Sequence, residues 1–169
     1  MTASGERPNR AARRRWVILS NVPVPEAHLI GLGIAACLRR GHPWTLPGPR
    51  SAHRLVGLPL IAAGVCHIAR SVRAARRVHL ADPDRLVMTG PYAAGRNPMY
   101  VGWALLHVGA AVAGGSGWAL ASFLPVAACM HGEVLREERA LTDAFGEEYR
   151  RYRATVPRYL PRPGHRAAR

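Results

Sequence analysis

Thirty-six consecutive residues, 97 to 132, carry no formal charge, in a chain whose 24 basic residues are all arginine and whose formal net charge is +14. As a single helix this segment would reach about 54 Å at ~1.5 Å per residue, far beyond a ~30 Å hydrocarbon core. Gly114-Gly115-Ser116-Gly117 supplies a break near its middle. The pattern predicts a helical hairpin with arms over residues 98 to 113 and 118 to 135. Trp103 and Trp118 are expected to seat the arm ends at headgroup level. Pro125 predicts a kink that neighbouring helices can tolerate.

Hydrophobic residues make up 49% of the chain, yet mean hydropathy is only −0.06. The two figures agree once apolar and arginine-rich blocks are seen to alternate, and so much apolar material excludes disorder throughout. Residues 55 to 69, with Pro59 and His67 inside, predict a further span. Residues 22 to 38 are another candidate, cleanly apolar only from Leu29 to Leu38. The fold class expected is all-α: a polytopic membrane bundle of about four transmembrane helices, with a C-terminal hairpin followed by a cytosolic helix. A soluble bundle with short buried helices is the alternative, since apolar runs of 10 to 14 residues are ambiguous.

Four spans would leave twenty arginines on one side and only Arg39, Arg40, Arg50 and Arg54 on the other. The positive-inside rule then puts both termini in the cytoplasm of a bacterial-type cytoplasmic membrane. The organisation expected is a basic, disordered tail over 1–20, two membrane helices and a basic connector over 21–80, a core over 81–161 and a basic tail over 162–169. The arginine-rich tails are expected to contact anionic lipid. No nucleic-acid partner is expected, because aromatic residues do not interleave with the basic runs.

Familiar soluble chemistries find no foothold. Cys37, Cys66 and Cys129 lie far apart in apolar stretches and read as small hydrophobes. The eight histidines form no local pair, so no metal site is expected. Gly31-x-Gly33-x-x-Ala36 imitates a dinucleotide fingerprint, but no strand precedes it, and it reads as small residues for helix packing. Trp16 to Leu19 is too short an apolar core for a secretory signal.

Two clusters flank the hairpin. The first is Leu86-Val87-Met88-Thr89-Gly90-Pro91-Tyr92 followed by Arg96-Asn97-Pro98-Met99-Tyr100-Val101-Gly102. Gly90-Pro91 predicts a turn at the membrane surface, and Asn97-Pro98 a helix cap and first turn. The second contains Glu133, Arg136, Glu137, Glu138, Phe145-Gly146, Tyr149 and Tyr152. Glu133 and Glu137 lie one helical turn apart. The hairpin should bring both clusters to one surface, where carboxylates at the base of a span are costly unless they serve a ligand or pair with arginine.

The joint order of these motifs, closed by Val156-Pro157-Arg158-Tyr159, resembles the isoprenylcysteine carboxyl methyltransferase and phospholipid methyltransferase group of integral membrane enzymes. The resemblance covers about residues 82 to 161. It implies an S-adenosylmethionine-dependent methyltransferase acting on a lipophilic small molecule or lipid. Gly90, Pro91 and Tyr92 would shape the turn against the cofactor. Arg96, Asn97, Pro98 and Tyr100 stand at the family's Arg-His-Pro-x-Tyr motif, with Gly102 just beyond. Glu137 and Glu138 stand at its Glu pair and would bind the cofactor's polar end. Position 97 is Asn where many members have His, and Glu133 occupies the position of an Arg associated with a substrate carboxylate.

In-line methyl transfer from a sulfonium asks mainly for alignment, and orientation can supply ~7–11 kcal/mol of the barrier. Arg96, Glu133 and Glu137 are the catalytic candidates, with Glu133 the nearest to a general base. Tyr92 and Tyr100 could pack on adenine or face the sulfonium. Two other classes fit the same residues: a non-catalytic membrane scaffold, and a membrane reductase using a reduced nicotinamide cofactor.

Overall fold

The computed structural model describes residues 26–78 and 83–161. Among them the chain forms five helices: α1 (Glu26–Gly41), α2 (Arg50–Ala75), the single-turn α3 (Pro91–Ala94), α4 (Pro98–Ala113) and α5 (Gly117–Thr155). The only β-type pairing among the described residues is an isolated bridge between Thr45 and Ser116. The all-α expectation therefore holds. The expectations for the two arginine-rich tails, 1–20 and 162–169, lie outside the described residues.

The hairpin forms where the charge gap placed it. Its first arm is α4, and Gly114 caps that arm through its N–H to the Ala110 carbonyl. Gly115 takes φ 57°, a left-handed value that glycine adopts without penalty. Ser116 then caps α5 by accepting from the Ala119 N–H. The second arm does not end near residue 135. It continues as one helix into the acidic segment, and its only non-helical dihedrals are at Gly146 (φ 53°), not at Pro125. The expected separate cytosolic helix is thus the far end of α5, bent at Gly146.

Helices α2 and α5 are long and apolar enough to cross a membrane, and α4 is a shorter apolar helix. Most of their apolar surface faces outward. Leu55, Val56, Leu58 and Val65 on α2, Leu124 on α5, and Leu29, Ile30 and Ile34 on α1 are all exposed. All three cysteines are exposed too. A soluble bundle would bury such side chains. A hydrocarbon surrounding would accommodate them.

With little hydrophobic drive between helices in lipid, close backbone packing holds them together. Helices α2 and α4 run antiparallel, and glycines on each admit the other's backbone. A Cβ at Gly64 would fall 2.8 Å from the Gly102 carbonyl oxygen, and one at Gly109 2.9 Å from the Ile61 backbone nitrogen. Gly31 lets α1 approach Val126 of α5, whereas Gly33 faces open space. The small-residue reading of that segment therefore holds at Gly31 alone. At the hairpin turn, Trp118 donates to the His42 carbonyl (2.7 Å) and meets the Trp44 ring edge-on.

Gly109→Leu should force α2 and α4 apart against backbone atoms that cannot yield, costing about 1–3 kcal/mol or more. Gly33→Ala should cost nothing. Thermal unfolding of the two variants in detergent checks the contrast.

Candidate functional site

The site grows from a turn that has to be tight. Gly90 (φ 61°) reverses the chain, and Pro91 opens α3 at a position where a missing N–H is harmless. Beyond α3 the chain runs extended through Gly95, Arg96 and Asn97 alongside the segment after α5. Arg96 N–H donates to the Pro157 carbonyl (2.9 Å) and Asn97 N–H to the Arg158 carbonyl (3.1 Å). The Asn97 side-chain amide donates to that same Arg158 carbonyl (3.2 Å). The Tyr159 carbonyl occupies the space a Cβ at residue 95 would need, so only glycine fits. Asn97 does stand at the N-cap of α4 with Pro98 behind it, but its side chain caps nothing. It is spent on stitching two segments together.

Glu138 sits at the centre. Arg158 grips it with two parallel hydrogen bonds, Nε to Oε1 and Nη2 to Oε2, both 2.9 Å. Arg96 Nη2 closes on Oε1 from the other side, also at 2.9 Å, with both side chains only 5–6% exposed. Burial alone would raise this carboxyl's pKa, but the Arg158 hydrogen bonds and the two guanidinium charges outweigh it and hold the group below the usual carboxylate range. Arg96 keeps two donors, Nε and Nη1, that are buried and meet no acceptor. A buried charged donor without a partner is costly, so these two atoms are where the site asks for a ligand.

Arg96 lines a narrow cavity of about 50 Å³ with Tyr92, Asn97, Glu137, Tyr149 and Tyr152. Tyr152 donates its hydroxyl to the Tyr92 carbonyl (2.7 Å), fixing α3 against α5. Burial, the largest cause in each case, raises the Tyr92, Tyr149 and Tyr152 hydroxyls, Tyr149 to about 12, so all three remain neutral donors. Glu137 keeps accessible surface yet is crowded by protein on most sides. That desolvation pushes its carboxyl above the ordinary value; the hydrogen bond from Tyr100 works the other way, and the neighbouring Glu138 charge adds to the rise.

On the far side of Tyr100 lies a second hollow, an apolar groove of about 600 Å³ between α4 and α5. Tyr100 donates to Glu137 Oε2 at 3.2 Å, so this contact stands between the groove and the cavity. His131 and Tyr159 share a 2.7 Å hydrogen bond at the groove's polar end. His28 lines it deeper, 3.0 Å from His107. A carbonyl can only accept, so His107 Nε2 donates to Ala119 (3.0 Å).

The clusters expected to meet do meet. Arg96, Asn97, Tyr92, Tyr100, Glu137 and Glu138 converge, and Gly90 and Pro91 shape the turn beside them. Two candidates stand apart. Glu133 lies on the surface, paired with Arg136 at 2.6 Å. Gly102 faces α2, where a Cβ would fall 3.2 Å from the Gly64 carbonyl oxygen. Residue-type reasoning missed Arg158, His131 and His28 beside the two hollows, and it placed Tyr149 and Tyr152 in the second cluster without giving them a role. The Val156-Pro157-Arg158-Tyr159 segment was the visible signal for Arg158.

Glu138→Ala should strand two guanidinium groups, one of them buried, and cost about 3–5 kcal/mol. The sign with pH follows from the lowered pKa: Glu138's contribution is complete above its unfolded-state value of about 4.3 and is lost as pH falls through the lower folded value. Thermal unfolding of the wild type and Glu138→Gln between neutral pH and pH 3 checks both.

No curated protein and no solved structure matches the chain. A family model described as phospholipid methyltransferase matches residues 52–148, from the start of α2 through the Glu137–Glu138 pair. The matched stretch, well over half of the 169 residues, contains the turn, the hairpin and the Arg96–Glu138 contact, and the chain belongs to the phospholipid methyltransferase family.

Proposed function

We propose that the protein is an S-adenosylmethionine-dependent methyltransferase that takes a lipophilic acceptor from the bilayer. The observation that carries this reading is Arg96: a buried guanidinium, anchored on one edge by Glu138, with two unpartnered donors beside Tyr92 and Glu137. These residues suit a ligand that has a carboxylate, hydroxyls and a cationic centre together. Arg96 binds the carboxylate or a hydroxyl, Glu137 accepts from a hydroxyl or amine, and the Tyr92 and Tyr100 rings offer their faces to a cation. S-adenosylmethionine would supply the activated methyl group.

Within this reading Gly90, Pro91 and Asn97–Pro98 form the frame, and Glu138 holds Arg96 rather than touching the ligand itself. Gly102 contributes through helix packing. Glu137 replaces Glu133 as the better-placed base, since it lines the polar cavity and accepts from Tyr100, which lines the groove, while Glu133 is taken up by Arg136. The apolar groove lets the acceptor's apolar part stay out of water while its reactive end reaches Tyr100. The domain plan belongs to the proposal as well: a methyltransferase core over 81–161 behind two N-terminal membrane helices. So does the topology of about four spans with both termini cytoplasmic, which places the site on the arginine-rich side.

Equilibrium binding of labelled S-adenosylmethionine to the full chain in detergent tests the reading. The wild type should bind, and Glu137→Gln should weaken binding at least tenfold without changing thermal stability. Absence of wild-type binding favours a scaffold, and displacement by NADPH at lower concentration favours a reductase. Wild-type affinity should fall on acidification through a pKa above the ordinary glutamate value of about 4.3, because protonation removes Glu137's charge; in Glu137→Gln that step should vanish. Incubating membrane lipid extracts with labelled cofactor identifies the acceptor.

A further inference from the structure

A separate hollow of about 430 Å³ opens between the end of α2 and the turn that leads into α3. Arg70, Arg73, Arg76 and Arg77 line it, with Thr89 and Gly90 opposite. Arg70 and Arg73 lie one turn apart on α2, which ends at Ala75, and Arg76 and Arg77 stand in the turn just beyond it. All four arginines are exposed, and none pairs with a carboxylate among the described residues. Thr89 and Gly90 accept through their carbonyls from the Tyr92 and Ala93 N–H groups, which holds the turn in place.

Four like charges around one concavity repel each other unless an anion sits among them. Positive-inside bias explains arginines on one side of a membrane, but not their gathering around a hollow closed by the Thr89–Gly90 turn. Guanidinium forks match phosphate oxygens two at a time. The level is also right: the apolar stretch of α2 ends at Ala69, so Arg70 onward stands where lipid headgroup phosphates lie.

We propose that Arg70, Arg73 and Arg77, with Arg76 and the Thr89–Gly90 turn, form a phosphate-binding site distinct from the cavity at Arg96. The inference does not depend on what that cavity holds. Its ligand is a phosphate group, carried by an anionic lipid or free in solution.

The test uses the full chain in neutral maltoside micelles, with two probes. Inorganic pyrophosphate binding is measured by calorimetry, and phosphatidylglycerol retention by native mass spectrometry against phosphatidylcholine. The wild type should bind at least one probe at low salt, and binding should weaken as salt rises. An Arg70→Gln, Arg73→Gln, Arg77→Gln variant should bind at least tenfold more weakly, while the triple Lys variant should stay within a few fold of wild type. An Arg40→Gln, Arg50→Gln, Arg54→Gln variant removes the same charge at the opposite end of α2 and should bind as the wild type does. Pyrophosphate binding identifies a soluble phosphate as sufficient, and lipid-only binding identifies the headgroup. The proposal is overturned if neither probe binds, or if the two Gln variants lose affinity equally. S-adenosylmethionine binding measured on the same samples reports separately on the Arg96 cavity.

Discussion

The Glu138 carboxylate is the point on which the site's geometry depends. It ties the segment before α4, through Arg96, to the segment after α5, through Arg158, and it does so from within α5 itself. Three parts of the chain far apart in sequence are fixed by one side chain. A buried ion pair is a poor source of stability, because desolvation cancels most of the attraction. Its value here is positional. Arg96 is held by one edge with its other donors left unsatisfied, an arrangement that only a rigid anchor can maintain.

The backbone stitching around this anchor follows the same logic. Arg96 and Asn97 donate to the Pro157 and Arg158 carbonyls as one strand would to another, in a place where neither segment belongs to a helix. Backbone groups at membrane depth must be satisfied internally, and near the interface such pairing serves the same end. The Gly95–Tyr159 approach and the Tyr152–Tyr92 hydrogen bond close the arrangement. The cavity floor is therefore made from both sides of the hairpin, and the hairpin's length sets the distance between its halves.

Much of this architecture was legible because it rests on charge and glycine placement. The uncharged run, the Gly114–Gly117 break and the Asn97-Pro98 start together fixed the bounds of α4. The second arm was drawn too short because charge marks where an apolar run ends, while helicity continues past it: Glu133, Arg136 and Glu137 are good helix formers, and Glu133 and Arg136 pair at i,i+3. The break in helical dihedrals within α5 comes at Gly146, which no charge or proline signal marked, because a glycine can leave the helical region without penalty. The site's location was legible from the motifs, but the division of labour was not. Successive helix residues point about 100° apart, so Glu137 and Glu138 face different neighbours, and no pattern of residue types reveals which one meets the arginines. The pairing of His28 with His107, 79 positions away, gave no sequence signal at all.

That division gives the glutamate pair a physical rationale. A carboxylate gripped by two arginines is a strong anchor but a weak partner for anything else, since both its oxygens are occupied. A carboxylate meeting only a tyrosine hydroxyl retains acceptor capacity and a raised proton affinity. Placing the two side by side on one rigid helix gives the second a fixed position without using up its chemistry. Tyr100 lines the apolar groove and Glu137 the polar cavity, so their 3.2 Å hydrogen bond links the two hollows, and a bond of that kind contributes only about 0.5–1.5 kcal/mol net. The rigid half of the pair makes the labile half usable.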